Sequence, residues 1–122
     1  MVEWKIAKTN KFLHLYEYYQ KKHPDELAAV LRNLDAYFDT LKELGNPMQV
    51  QAGFIHHGPD GIKEIDQKGK TKVRLQQTRL YVYPHVERQT LHLLTIGDKS
   101  SQADDIRFSR EMVKEIRLGG GY

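Results

Sequence analysis

Arg79, Tyr81 and Tyr83 stand at alternate positions in TRLYVYP, and Lys72 and Arg74 do so in KVRL just before it. In an extended chain residues two apart share a face, so these side chains form rows of cations and rings opposite Val73, Leu75, Leu80 and Val82. Guanidinium and ammonium groups attract phosphates, and aromatic rings stack on bases. The same residues also suit a solvated strand face, where aromatic side chains are favoured anyway. Arg79 has the stronger claim, because it is fixed to a rigid strand and its planar fork matches a phosphate. Tyr81 and Tyr83 could stack bases, and Tyr81 could offer its phenol as an acid.

Six histidines are the other source of proton chemistry near neutral pH. Their spacing is unspecific. His14 falls on an amphipathic helix, His23 in a turn between helices and His85 in a later turn. His56 and His57 have no third ligand at a metal-binding interval, so no zinc site is expected. His92 lies on an apolar strand and faces away from Leu91 and Leu93, where it could meet the basic face, and it is the candidate acid or base. The absence of cysteine excludes a disulfide scaffold, a thiolate metal site and a thiol nucleophile. No cofactor and no metal are expected.

These residues need a scaffold, and 122 residues suffice for one domain with a real core. The domain is read as residues 1–118, with residues 119–122 (GGGY where the last is Tyr122) as a flexible tail. The net charge of +3 does not mark a nucleic-acid binder. Its distribution says more. Residues 1–60 carry seven basic and eight acidic side chains, a balance of −1, whereas residues 61–122 carry twelve and eight, a balance of +4. The start MVEWKIAK lacks an apolar signal core and no apolar run approaches membrane-spanning length, so a soluble cytoplasmic protein without a membrane partner is expected.

Residues 2–8 alternate Val2, Trp4 and Ile6 with Glu3, Lys5 and Ala7, which predicts a first strand. Thr9 is placed to cap a helix through FLHLYEYYQKK. His23-Pro24 breaks it and opens a second helix, with Asp25 and Glu26 at its positive end. Leu27, Val30, Leu31, Leu34, Tyr37, Phe38, Leu41 and Leu44 recur at steps of three and four up to Gly45-Asn46-Pro47, the clearest helix of the chain. This helical hairpin is expected to lay Leu31, Leu34, Phe38 and Leu41 on a sheet. A short strand is expected near residues 54–57, then a turn at residues 58–61. Residues 61–66 and 72–75 read as a hairpin through the loop at residues 67–70. Pro84 is expected to end the following strand. Leu91, Leu93, Leu94 and Ile96 predict a central strand covered on both faces. Ser101 with Asp104 suggests a capping box, and Asp104 and Asp105 suit a helix start. The final helix should bury Ile106, Met112, Val113 and Ile116. The order predicts an α+β fold: an N-terminal strand, an α-hairpin, a mostly antiparallel sheet and a C-terminal helix.

Two motifs sharpen this order. KVRLQQTRLYVY resembles the paired basic and aromatic strands of the RelE/ParE superfamily, the toxins of bacterial type II toxin–antitoxin systems. LLTIGDKSSQADDI is similar to the LLxxGDKxxQxxDI signature of the addiction-module killer branch, and is the more specific of the two. The likeness covers residues 72–117 well, and residues 2–44 only as an order of elements. It implies a small basic endoribonuclease that cuts mRNA, usually on the ribosome, inhibited by a cognate antitoxin protein. Carried over position by position, Lys72, Arg74, Arg79 and Lys99 take the places of the family's catalytic cations. These would hold the scissile phosphate while the ribose 2′-OH attacks. Lys70, Lys72, Arg74 and Tyr83 would bind the RNA. Asp105 stands where the best-known ribonuclease members place a tyrosine, a departure at the proton-transfer step. The alternatives are a ParE-type poison that binds DNA gyrase, and a degenerate member that only binds antitoxin.

Overall fold

A computed structural model describes residues 3–68 and 77–119. It is an α+β domain: one five-stranded mixed sheet with three helices. Strand β1 (Lys5–Lys8) leads into α1 (Asn10–Lys22) and α2 (Pro24–Leu44). Strands β2 (Ile55–His57), β3 (Lys63–Asp66), β4 (Thr78–His85) and β5 (Thr90–Asp98) follow, and α3 (Gln102–Arg117) closes the domain. The sheet order is β1-β5-β4-β3-β2, with β1 parallel to β5 and the other pairs antiparallel.

The helical hairpin begins where the sequence places it. The Thr9 hydroxyl accepts the Phe12 N–H at 2.9 Å and donates to the Leu94 carbonyl at 2.6 Å, so one side chain caps α1 and fastens it to β5. Pro24 takes the first turn of α2, and Gly45, at φ 73°, ends it in the left-handed region with its N–H on the Leu41 carbonyl at 2.8 Å. Leu34 and Leu41 are buried as expected, whereas Leu31 and Phe38 are only partly so. Leu27, Val30 and Tyr37 complete the buried stripe of α2.

The dense apolar run of β5 has a specific cause. Tyr81 pairs with Thr95 and Val82 with Leu93, so Leu94 is an extra residue, a β-bulge. The bulge resets the alternation, and each part of the run serves a different layer. Leu91, Leu93 and Ile96 join Leu80, Val82, Ile65 and Trp4 beneath α1 and α2. Leu94 joins Ile62, Tyr81, Tyr83, Val113 and Ile116 beneath α3 on the opposite face. Ile106 and Met112 flank this second core.

Four local expectations are corrected. Residues 63–66 pair with β4 on one side and β2 on the other, which leaves no free edge of β3 for a further strand. The strand expected at residues 72–75 lies outside the described residues. Pro84 does not end its strand but sits inside β4 opposite Leu91. Pairing with β3 stops at Val82, so there β4 has β5 on one side only, and a missing N–H costs nothing. The capping box is not made by Ser101 with Asp104 at the start of α3; it closes the 3-10 turn before α3, with Asp98 as the cap and Ser101 as its partner. Asp98 Oδ1 accepts the Ser100 and Ser101 N–H groups at 2.8 and 3.2 Å, and Ser101 Oγ accepts the Asp98 N–H at 3.1 Å. Finally, Ile6 is largely exposed, because β1 lies at the sheet edge.

Candidate functional site

The face of the sheet beneath α3 collects most of the candidate residues. On β4 the alternation puts Arg79, Tyr81, Tyr83 and His85 on this face, and register brings Glu64 opposite Tyr81 and His92 opposite Tyr83. Arg79 does not stand alone. Its Nη1 donates to Glu64 Oε1 at 2.8 Å, and both side chains are largely buried. An Arg79 oriented in this way keeps four of its five N–H donors for other acceptors. Beside this pair, His56 Nε2 donates to Asp66 Oδ2 at 2.7 Å, a second polar contact on the same face.

Tyr81 is fully buried. Burial, reinforced by the Glu64 and Asp105 carboxylates, pushes its phenol well above its ordinary range. Tyr83 is also buried, and its hydroxyl accepts from Arg117 Nε at 3.2 Å. Its ring stacks at 5.7 Å from His85 and 6.3 Å from His92. His92 is 9% exposed, and burial, with His85 and Arg88 nearby, lowers its pKa from 6.5 to about 4. It therefore stays neutral near pH 7. Lys99 is exposed on the turn between β5 and α3. Lys70, Lys72 and Arg74 lie outside the described residues.

Asp105 differs from its sequence reading as a solvated partner of the helix dipole. Asp104 fits that role, exposed and 3.2 Å from Arg107. Asp105 instead turns inward over Gly97 and accepts from Ser101 Oγ at 2.7 Å. Burial raises its pKa, while the Ser101 hydrogen bond and Lys11 act in the other direction. Arg79 and Gly97 are direct cross-strand partners, so Asp105 sits over the strand position next to Arg79. The arrangement is thus a half-covered site: one oriented guanidinium, three buried carboxylates (Glu64, Asp66 and Asp105) and a buried phenol at its back, and an exposed lysine on the turn beside it.

Sequence reasoning missed Glu64 as the partner of Arg79. The pairing of β3 with β4 that joins them is long-range, and KEID alone signals only a short strand. His14 is exposed, and His23 lies 4.0 Å from Glu26. Among the described residues, no group of three His, Asp or Glu side chains could hold a metal ion, and no helix is long and apolar enough to cross a membrane. No protein-family model, curated protein or solved structure matches the chain.

Proposed function

We propose that this chain is the toxin of a type II toxin–antitoxin pair, a RelE/ParE-like protein that cleaves mRNA in the cytoplasm and is inhibited by a cognate antitoxin. The observation that carries the reading is the path of LLTIGDKSSQADDI. It runs from the bulge of the central strand through the Asp98-capped turn into α3, the strand, turn and helix start that the signature joins. Arg79 on its rigid strand supports a phosphate-binding role, and Lys99 adds a cation at the entrance to the same face. Lys70, Lys72 and Arg74 would extend the grip on RNA, whereas Tyr83 is buried.

A second reading has its own observation. Tyr81 and His92 are buried, and Asp105 occupies the place of the expected tyrosine, so none of the acid–base residues expected from the sequence stands exposed beside Arg79. That favours action by protein contact, either poisoning of DNA gyrase or binding of antitoxin alone. Expression in a bacterium separates the three. Growth arrest with fragmented mRNA, relieved by a neighbouring antitoxin gene, is the expected result. In a single-turnover assay on ribosome-bound mRNA, Arg79→Ala should then slow cleavage by ~10²-fold, the scale for losing one preorganised charge-stabilising donor. Arrest with intact mRNA and blocked replication would point to gyrase. No arrest would leave only antitoxin binding.

A further inference from the structure

Lys63 is 3% exposed at the start of β3, yet it has no carboxylate partner among the described residues. Its Nζ lies 2.6 Å from His57 Nδ1 and 3.8 Å from the Met48 thioether. Burial and the nearby Lys63 both lower the pKa of His57, so the ring is neutral and accepts one of the three ammonium protons. The thioether is a weak acceptor, and at least one donor is left without a strong one. A desolvated cation in this state is costly to hold, which is the condition that a bound anion relieves.

Lys63 also lines a cleft of about 510 Å³, where β3 begins and β4 ends. Arg117, from the last turn of α3, lines the same cleft. Its Nε donates to the Tyr83 hydroxyl and its Nη2 to the Asp60 backbone carbonyl at 2.8 Å, while the Asp60 carboxylate is taken by Arg110 at 2.9 Å. Arg117 likewise has no carboxylate partner among the described residues. Among the described residues, the only acidic side chain lining the cleft is Glu87, which is 90% exposed at the rim and 4.0 Å from His85. The rest of the wall sets an apolar flank of Met48, Pro84 and Val86, with Met48 and Val86 exposed, beside Asn46, Tyr83 and His85.

The geometry points to a nucleotide site in this cleft, with the phosphate held between Lys63 and Arg117 and the base laid against Met48, Pro84 and Val86. Two cations with no ion-paired carboxylate among the described residues suit a dianionic phosphate ester, and Arg117 adds a planar fork to the point charge of Lys63. An exposed apolar flank beside them suits a flat ring. The volume falls within the ~300–1,000 Å³ of small-molecule sites. The site is remote in the sheet from Lys99 and does not depend on the toxin reading. The nucleotide can come free or as one unit of a single strand.

Titration of the whole protein followed by NMR tests this, with AMP, adenosine and a short single-stranded RNA as separate probes. AMP or the RNA should move the resonances of Lys63, Tyr83, His85 and Arg117, and adenosine should bind at least about tenfold more weakly than AMP. Lys63→Met keeps the buried stem without the charge, and Arg117→Gln changes an exposed side chain. Each should weaken binding about tenfold or more. A response to AMP identifies the free nucleotide as sufficient, and a response to RNA alone identifies a nucleotide within a strand. The proposal is overturned if neither probe moves these resonances, if adenosine binds as well as AMP, or if Arg117→Gln binds like the wild type.

Discussion

His92 packs against the rings of both Tyr83 and His85, and its depressed pKa ties stability to pH. The folded protein keeps the ring neutral, whereas the unfolded chain takes up a proton below 6.5. The contribution of His92 is therefore complete above pH 6.5 and is lost as pH falls from there through about 4. The loss across that window is on the order of 3 kcal/mol. Asp105 acts in the opposite sense. With its folded pKa raised, its contribution is present below the ordinary carboxyl range and is lost as pH rises through the folded value. The difference between His92→Gln and the wild type isolates the histidine. Urea midpoints at several pH values between 4 and 7 should fall less steeply for His92→Gln, and parallel curves would remove His92 as the cause. The sequence disclosed which way His92 faces, since alternation with Leu91 and Leu93 fixes it. It did not disclose that α3 and two neighbouring rings cover that face, because coverage comes from residues far away in the chain.

At the scale of elements, the seating of α3 depends on one glycine. Ser101, Asp105, Ser109 and Val113 follow at steps of four, so the inward stripe of the helix is polar at its start and apolar further on, where Ile116 continues it. A Cβ at Gly97 would overlap the Asp105 carboxylate and crowd Ser101 Oγ. Gly97→Ala should therefore destabilise by about 1–3 kcal/mol, the cost of overpacking a filled site. The double variant Gly97→Ala with Asp105→Ala should recover part of that loss in a double-mutant cycle. Additive effects would show that Asp105 is not what the glycine accommodates. Periodicity made the helices legible: α2 carries a long three-and-four repeat bounded by Pro24 and Gly45, and Thr9 caps α1. The bulge at Leu94 was hidden, because an extra apolar residue in an apolar strand leaves no mark in composition. The role of Asp98 as the cap of the turn before α3 was hidden as well. Its carboxylate and the Ser101 hydroxyl both have the right chemistry, and only the backbone path decides between them.

The whole molecule is one sheet between two helical layers, and its two cores share β4 and β5 without sharing side chains. The α+β class was legible, since the order of elements follows from patterning alone. The partner of each strand was not, and β3 pairs with residues 79–82 on one side and with β2 on the other. Because both cores are built on the same two central strands, losing either layer should expose the backbone that supports the other. Unfolding is thus expected to be a single transition. Trp4, the only tryptophan, lies in the core beneath α1 and α2 and reports that layer by fluorescence, while circular dichroism reports all the helices. Val113, 1% exposed, belongs to the layer beneath α3. Val113→Ala should cost about 2 kcal/mol and lower the urea midpoint read by Trp4 as much as the one read by circular dichroism. Leu41→Ala, in the first core, should lower both together by about 3 kcal/mol. If Val113→Ala moves the dichroism midpoint while Trp4 fluorescence keeps its own, α3 and its core form a separate unit that can detach, and the face carrying Arg79 and Tyr81 is then opened without unfolding the domain.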